Sequence, residues 1–299
     1  MFTHHSALMG LISLAFSLFS HLSEAAETPV LEKTGIAGMQ LVSDATSIAP
    51  GETITVGLVI RHQPLYHTYW KGPGIVGVAT NFHWKLPEGF TAGEVQWPAP
   101  QITKMAGITA YGFETDTCLL VPITAPAKLE GKSVSLQVRC GWMACAKSCH
   151  PSWHDFSLPL PVNRSGKSTP VDAPWSELFK KTRARFPSPA PDDWKFSLEN
   201  HSAESFSLSV NFPEKLTART KDLYFFSYDL QVNSDEPQQI SAGNENKQFK
   251  LELVRPEYAP ENPPSISGVL YHPDGFGNPD TKWMEINVPW KSKPTATDE

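Results

Sequence analysis

The chain has 299 residues, with 25 Lys and Arg against 31 Asp and Glu, a formal net charge of -6, and 40% apolar and 11% aromatic side chains. That balance excludes a largely disordered chain. The absence of a basic excess or a Lys/Arg run excludes a protein that binds nucleic acid by tracking its phosphates. The length sets a prior of about two domains. Four cysteines are too few to staple a small scaffold, but enough for a redox pair plus a structural bond, or for one metal site.

Residues 1–25 read as a secretory signal. A short n-region, Met1 to Ser6, precedes the apolar run Ala7 to Phe19, and Ser23-Glu24-Ala25 offers small residues where a signal peptidase cuts, after Ala25. The run is short for a spanning helix. No later stretch is long and apolar enough to cross a bilayer, so the mature chain is expected to be exported without a membrane span. In that compartment disulfides are permitted, and thiols stay reduced only with an electron source.

Residues 38–162 read as one all-β unit. Strand-like runs at Ile54–Ile60, Asn81–Leu86, Cys118–Ile123 and Val134–Cys140 are separated by turn signals at Pro50-Gly51, Lys71-Gly72-Pro73-Gly74, Pro87-Glu88-Gly89 and Glu130-Gly131-Lys132. Short strands with this punctuation predict a β-sandwich. A connector at 163–192 contains a short helix near Asp172–Lys181, with Pro174 in its first turn and Trp175, Leu178 and Phe179 on one face. Pro187 to Pro191 ends it. A second β-sandwich is predicted over 193–290, with strands at Lys195–Leu198, Ser205–Val210, Leu223–Phe226, Phe249–Leu253 and Met284–Val288. It carries no cysteine, and a supporting or partner-binding role is expected of it.

Chemistry concentrates in Cys140 to Pro151. Cys145 and Cys149 are four apart, close enough on a helical turn or a tight loop to form a disulfide. Lys147 lies between them and His150 follows. Neighbouring positive charge favours the reactive thiolate. By spacing alone the pair reads either as exchanging thiols or as an inert structural bond. The same stretch offers Cys145, Cys149, His150 and His154 as a C-x3-C-H-x3-H ligand set for Cu(I) or Zn, with Met143 adding a thioether. Pro151 after His150, and the opposite directions of adjacent Cys149 and His150, argue against it, so no metal and no cofactor is assigned. Segments 118–124 and 133–140 read as a hairpin. Cys118 then lies opposite Cys140, and the two are either a structural disulfide or buried free thiols. His67 and Trp70 read as packing of a loop rather than as site residues, and Asn163-Arg164-Ser165 fits a glycosylation sequon of little weight here.

Several blocks occur in a fixed order: His67-Thr68-Tyr69-Trp70 with Lys71-Gly72-Pro73-Gly74, then Trp84-Lys85-Leu86-Pro87-Glu88-Gly89, Gln96-Trp97-Pro98-Ala99-Pro100, Tyr111-Gly112-Phe113-Glu114, and Trp142-Met143-Ala144-Cys145-Ala146-Lys147-Ser148-Cys149-His150-Pro151. In that order they resemble the N-terminal periplasmic domain of the thiol:disulfide interchange protein DsbD and its ScsB relatives of copper-sensitivity suppressor systems. The resemblance covers about a third of the chain. It implies an immunoglobulin-like β-sandwich whose redox pair is Cys145 and Cys149, with Tyr111 and Phe113 beside the sulfurs and the loop before Tyr111 capping them. It further implies electron transfer from a thioredoxin-like donor to exported disulfide isomerases and related thiol proteins. Three departures stand out. The chain carries no multi-spanning segment or thioredoxin-like Cys-x-x-Cys, so a separate membrane electron donor is needed. Ala110 stands where the best-known member has Phe before the Tyr. Cys118 and Cys140 are extra.

Two functions are therefore expected to compete. In one, the chain is an exported protein-disulfide reductase, with Cys145 taken as the attacking thiol and Cys149 resolving. In the other, it is a non-catalytic β-sandwich adaptor with structural or copper-binding cysteines.

Overall fold

The structure is a computed structural model that describes residues 26–170, 175–199, 202–212, 222–243 and 247–290. The expected signal, residues 1–25, and residues 171–174 ahead of the connector helix lie outside the described residues. The fold is all-β, as expected, with a single α-helix among the described residues. In chain order the strands of the first half are β1 (Leu31–Lys33), β2 (Ile36–Ser43), β3 (Thr53–His62), β4 (Thr68–Tyr69), β5 (Asn81–Lys85), β6 (Thr91–Ala92), β7 (Gln101–Met105), β8 (Ile108–Phe113), β9 (Thr117–Thr124), β10 (Ser133–Cys145) and β11 (Cys149–Pro161). They form a five-stranded sheet β1-β2-β3-β9-β6, a three-stranded sheet β11-β10-β5 and a three-stranded sheet β4-β8-β7.

Period-two burial explains the long strands. On β10, Leu136, Val138, Cys140, Trp142 and Ala144 point inward, while Gln137 and Arg139 face out. On β11, Phe156, Leu158 and Leu160 do the same. These residues meet Leu41, Val56, Leu58, Ile60, Leu119 and Val121 from the five-stranded sheet in one apolar cluster, the packing of a sandwich.

The expected hairpin between 118–124 and 133–140 does not form. β9 pairs with β3 and β6, with Cys118 opposite Val59, whereas β10 pairs with β11 and β5, with Cys140 opposite His154 and Phe82. The chain crosses from one sheet to the other between β9 and β10. Cys118 and Cys140 are therefore free and buried in different clusters, and the candidate structural disulfide is corrected.

The connector helix α1 (Trp175–Arg183) sets Phe179, with Trp175 and Leu178, onto Val42, Val59, Cys118 and Leu120. The expected apolar stripe is thus the face that packs. Beyond it come β12 (Ser188–Pro189), β13 (Lys195–Glu199), β14 (Ser205–Asn211), β15 (Tyr224–Ser227), β16 (Gln239–Ala242), β17 (Gln248–Val254), β18 (Ser265–Tyr271) and β19 (Trp283–Pro289). Two four-stranded sheets, β12-β19-β18-β15 and β13-β14-β17-β16, bury a second apolar cluster that includes Phe206, Leu208, Phe225, Leu251, Leu270 and Ile286.

The two halves meet around the Gly-Pro turn that follows β4. Trp70 packs on Phe226 and Tyr228, the Lys71 ammonium sits 3.4 Å from the centre of the Tyr228 ring, and Tyr111 meets Tyr224 and Phe226. Ser234 Oγ donates to the Thr109 carbonyl at 2.7 Å and accepts from the Ile75 amide. The Asp235 carboxylate accepts from both the amide and the hydroxyl of Thr109, at 2.8 and 2.9 Å.

Candidate functional site

β10 runs through Trp142 and Ala144 to Cys145 and turns back within three residues, Ala146-Lys147-Ser148, into β11 at Cys149. The two cysteines are directly opposed across this tip. Cys145 spends its amide and carbonyl on the opposite edge, where its N–H donates to His67 O (3.0 Å) and its carbonyl accepts from His67 N–H (2.9 Å). Toward Cys149 the pair is therefore non-hydrogen-bonded, the arrangement in which antiparallel Cα atoms come closest. The Cα–Cα separation is 4.2 Å, and a disulfide joins the two sulfurs.

Cys149, Cys145 and His67 thus lie in a row across three adjacent strands, with their side chains on one face. The row is lopsided in exposure. Cys145 is 0% exposed, while Cys149 is exposed. Cys145 packs in a small cluster with Tyr69 and Ala110, against which Val76, Met105 and Met143 lie. The β7–β8 hairpin supplies part of this cover. Its two-residue tip, Ala106 (φ 50°) and Gly107 (φ 95°), has both residues left-handed, the turn type that matches strand twist.

The residues expected around the sulfurs are partly relocated. Lys147 lies exposed in the loop between the cysteines. His150 begins β11 beside the pair, its Nε2 3.0 Å from Ser148 Oγ and its ring 6.0 Å from that of Tyr66. Tyr111 and Phe113 do not sit with Cys145. Tyr69 pairs with Gly112 and Thr68 with Phe113. Ala110 and Gly112 therefore share the Tyr69 face, and Tyr111 and Phe113 face the other way. Tyr111 there turns to the second half, its hydroxyl 3.3 Å from that of Tyr224. With Ala at position 110, Tyr69, Val76 and Met105 supply the larger side chains that pack around Cys145.

The C-x3-C-H-x3-H metal set is not assembled. His150 and His154 are four residues apart on a strand, about 13 Å, and no group of three or more His, Cys, Asp or Glu converges among the described residues. Cys118 is held as a thiol, its pKa pushed up to about 12 by burial, and burial raises that of Cys140 as well.

His67, which the sequence reads as loop packing, and Tyr69, to which it assigns no role, are the further residues at the site. His67 is buried with its Nε2 unpartnered, and its ring stands edge-on to Tyr69 at 5.1 Å. The Tyr69 hydroxyl is also buried without a partner. Burial lowers the His67 pKa against the opposing pull of Glu114, and burial raises that of Tyr69 to about 12. The available signal was the alternation of His67 and Tyr69 within the quoted block, which puts both on one strand face.

Residues 39–161 match the family described as thiol:disulfide interchange protein DsbD, N-terminal, so the resemblance read from the sequence holds over that segment. Among solved structures, the N-terminal periplasmic domain of ScsB from Proteus mirabilis is similar over 90% of this chain and 100% of its own, with a TM-score of 0.61 and 17% identity. The GAE domain of yeast GGA1 aligns over 44% of this chain and 98% of its own, with a TM-score of 0.27 and 9% identity. No curated protein matches the sequence.

Proposed function

We propose that the chain is an exported thiol–disulfide exchange protein of the protein-disulfide reductase type, working through Cys145 and Cys149. The observation that carries this reading is a disulfide between an exposed residue, Cys149, and a fully buried one, Cys145, at a hairpin tip within a segment matching the DsbD N-terminal family. Exchange needs one sulfur that a partner can reach and a second close enough to resolve the mixed disulfide. Burial makes Cys149 the attacking and attacked sulfur and Cys145 the resolving one, the reverse of the order taken from the sequence.

In the reductase direction the Cys149 thiolate attacks a target disulfide. A bond forms between Cys149 and one target sulfur, and the other target sulfur leaves as a thiolate. Cys145 then attacks Cys149, closing the pair and releasing the target's second thiol. The pair is recharged by a partner dithiol in the reverse sequence. Exported thioredoxin-like or disulfide isomerase proteins are the proposed partners, and a separate membrane-embedded carrier is the proposed source of electrons. No described helix is long and apolar enough to cross a membrane. A periplasmic location, cleavage after Ala25, and division into a redox domain at 38–162, a connector at 163–192 and a second domain at 193–290 belong to the same proposal.

The test is thiol trapping of the mature protein across a graded redox buffer, with mass mapping of the alkylated cysteines. Cys145 and Cys149 should titrate together at a moderate potential. If the pair stays oxidised below about −300 mV, where structural disulfides lie, the bond is structural and the adaptor reading replaces this one.

A further inference from the structure

We propose that His67 is the hydrogen-bond partner of the Cys145 sulfur in the reduced protein, and that it stabilises the thiolate released when the disulfide opens. The inference rests on the exchange function proposed above and goes on to assign a residue to it. Directly opposed residues of an antiparallel pair project to the same face with Cβ atoms about 5 Å apart. The mutual backbone bonds of His67 and Cys145 make them such a pair. A ring reaching toward a sulfur from that distance spans the gap without backbone movement.

The oxidised state explains why the ring looks wasted. His67 is 2% exposed, its Nε2 has no partner, and the Tyr69 ring holds it edge-on. Leaving a buried polar group unpaired is unfavourable. A disulfide sulfur is a poor acceptor, whereas a thiolate is a strong one, and a hydrogen bond to a charged group is worth more than a neutral one. The unpartnered nitrogen in the disulfide state is therefore a partner held ready for the dithiol state.

The step balances as follows. A partner thiolate attacks Cys149 Sγ, a new sulfur–sulfur bond forms there, and the Cys145–Cys149 bond breaks with its electron pair going to Cys145. Cys145 is now a buried anion, flanked by Tyr69, Ala110, Met105 and Met143. The His67 N–H donates to it. The partner's second thiolate then attacks its own sulfur in the mixed disulfide, so the partner leaves as a disulfide having supplied both electrons, Cys149 leaves as a thiolate that takes a proton from water, and Cys145 remains a thiolate paired with the His67 N–H.

The groups that face His67 are Cys145 on β10, the Tyr69 ring two residues on, Glu114, which pulls its pKa up against burial, and His62 through space. In the disulfide, burial favours neutral imidazole. In the dithiol, the Cys145 thiolate pulls the other way. Between the two proton affinities, reduction takes up an extra proton, and the reduction equilibrium steepens with pH.

The experiment compares wild type, His67→Phe and His67→Gln in glutathione buffers across the acid-to-neutral range. It includes nitrogen-15 spectra of the imidazole in oxidised and reduced wild type. His67→Phe should favour the disulfide by about tenfold, the size expected for losing a hydrogen bond to a charged sulfur, and should lose the steep segment of the pH profile. His67→Gln, which keeps an N–H donor, should recover most of the equilibrium. The His67 nitrogen resonances should move on reduction. Equal equilibria for wild type and His67→Phe, or unmoved resonances, would make His67 a packing residue only. If wild type itself fails to exchange with glutathione, the exchange function falls and this role with it, a result distinct from a wild type that exchanges unaltered by the variants.

Discussion

The difference between the two cysteines is one of exposure, and it makes their single variants behave oppositely. Cys145→Ser leaves the exposed Cys149 thiol with no resolving partner, so this variant should accumulate a stable mixed disulfide with glutathione or a thioredoxin-like protein on a non-reducing gel. Cys149→Ser leaves only a sulfur that is 0% exposed and should form little adduct. Equal trapping by both variants would show that the burial contrast does not decide which sulfur is attacked. Cys118 and Cys140 supply the internal control. Burial pushes the Cys118 thiol to about 12 and raises that of Cys140, and only the thiolate alkylates. After reduction under native conditions, mass mapping should find label rapidly on Cys149 and only slowly on Cys145, with Cys118 and Cys140 labelled only in denaturant.

At the scale of elements, the β7–β8 hairpin depends on a contact made by the second half of the chain. The Asp235 carboxylate accepts two hydrogen bonds from Thr109, first from its amide and then from its hydroxyl, and these hold its pKa below the usual carboxylate value. Because the folded-state pKa is depressed, the clamp is complete above the ordinary value of 3.8 and is lost as pH falls through the depressed one. Exchange of the Thr109 amide, corrected for intrinsic rate, should therefore be protected at neutral pH and lose protection in strong acid, and Asp235→Ala should remove it at all pH values. Unchanged protection in that variant would mean that the hairpin holds itself. Much of this element scale was legible in the sequence. Ile54–Ile60, Cys118–Ile123 and Val134–Cys140 announce themselves by apolar, β-branched runs, and Trp175, Leu178 and Phe179 by helical spacing. β11 did not, because Pro151, Pro159 and Pro161 interrupt its pattern, although prolines are tolerated on an edge strand. Pairing was also hidden. The Glu130-Gly131 turn suggests a hairpin, but an apolar run does not encode which sheet it joins, and in a sandwich successive strands often change sheets. The cysteine pair was legible from its motif. Its cover was not, because it comes from positions 69, 76, 105 and 110, remote in sequence and chemically plain.

For the whole molecule, the second half is joined to the site rather than merely appended to it. Ser234 and Asp235 grip the start of β8, and Ala110, one residue further on, packs on Cys145. The backbone at Gly72 makes this docking close. A Cβ there would lie 2.5 Å from the Ser227 carbonyl oxygen and 2.9 Å from Tyr228 Cα, both main-chain atoms that cannot rotate away. Gly72→Ala should therefore push the halves apart and loosen the contacts of Trp70 with Phe226 and Tyr228 between them. The expected result is a lower midpoint of thermal unfolding and loss of a single coincident transition when near- and far-ultraviolet circular dichroism are compared. If the second half does steady the cover, the same variant should also expose Cys145. In the reduced protein its alkylation rate should rise, while that of Cys149, already exposed, stays unchanged. A lowered midpoint with an unaltered Cys145 rate would separate the two effects: the interface would then contribute stability alone, and the cover over the sulfur would be built entirely by residues of the first half.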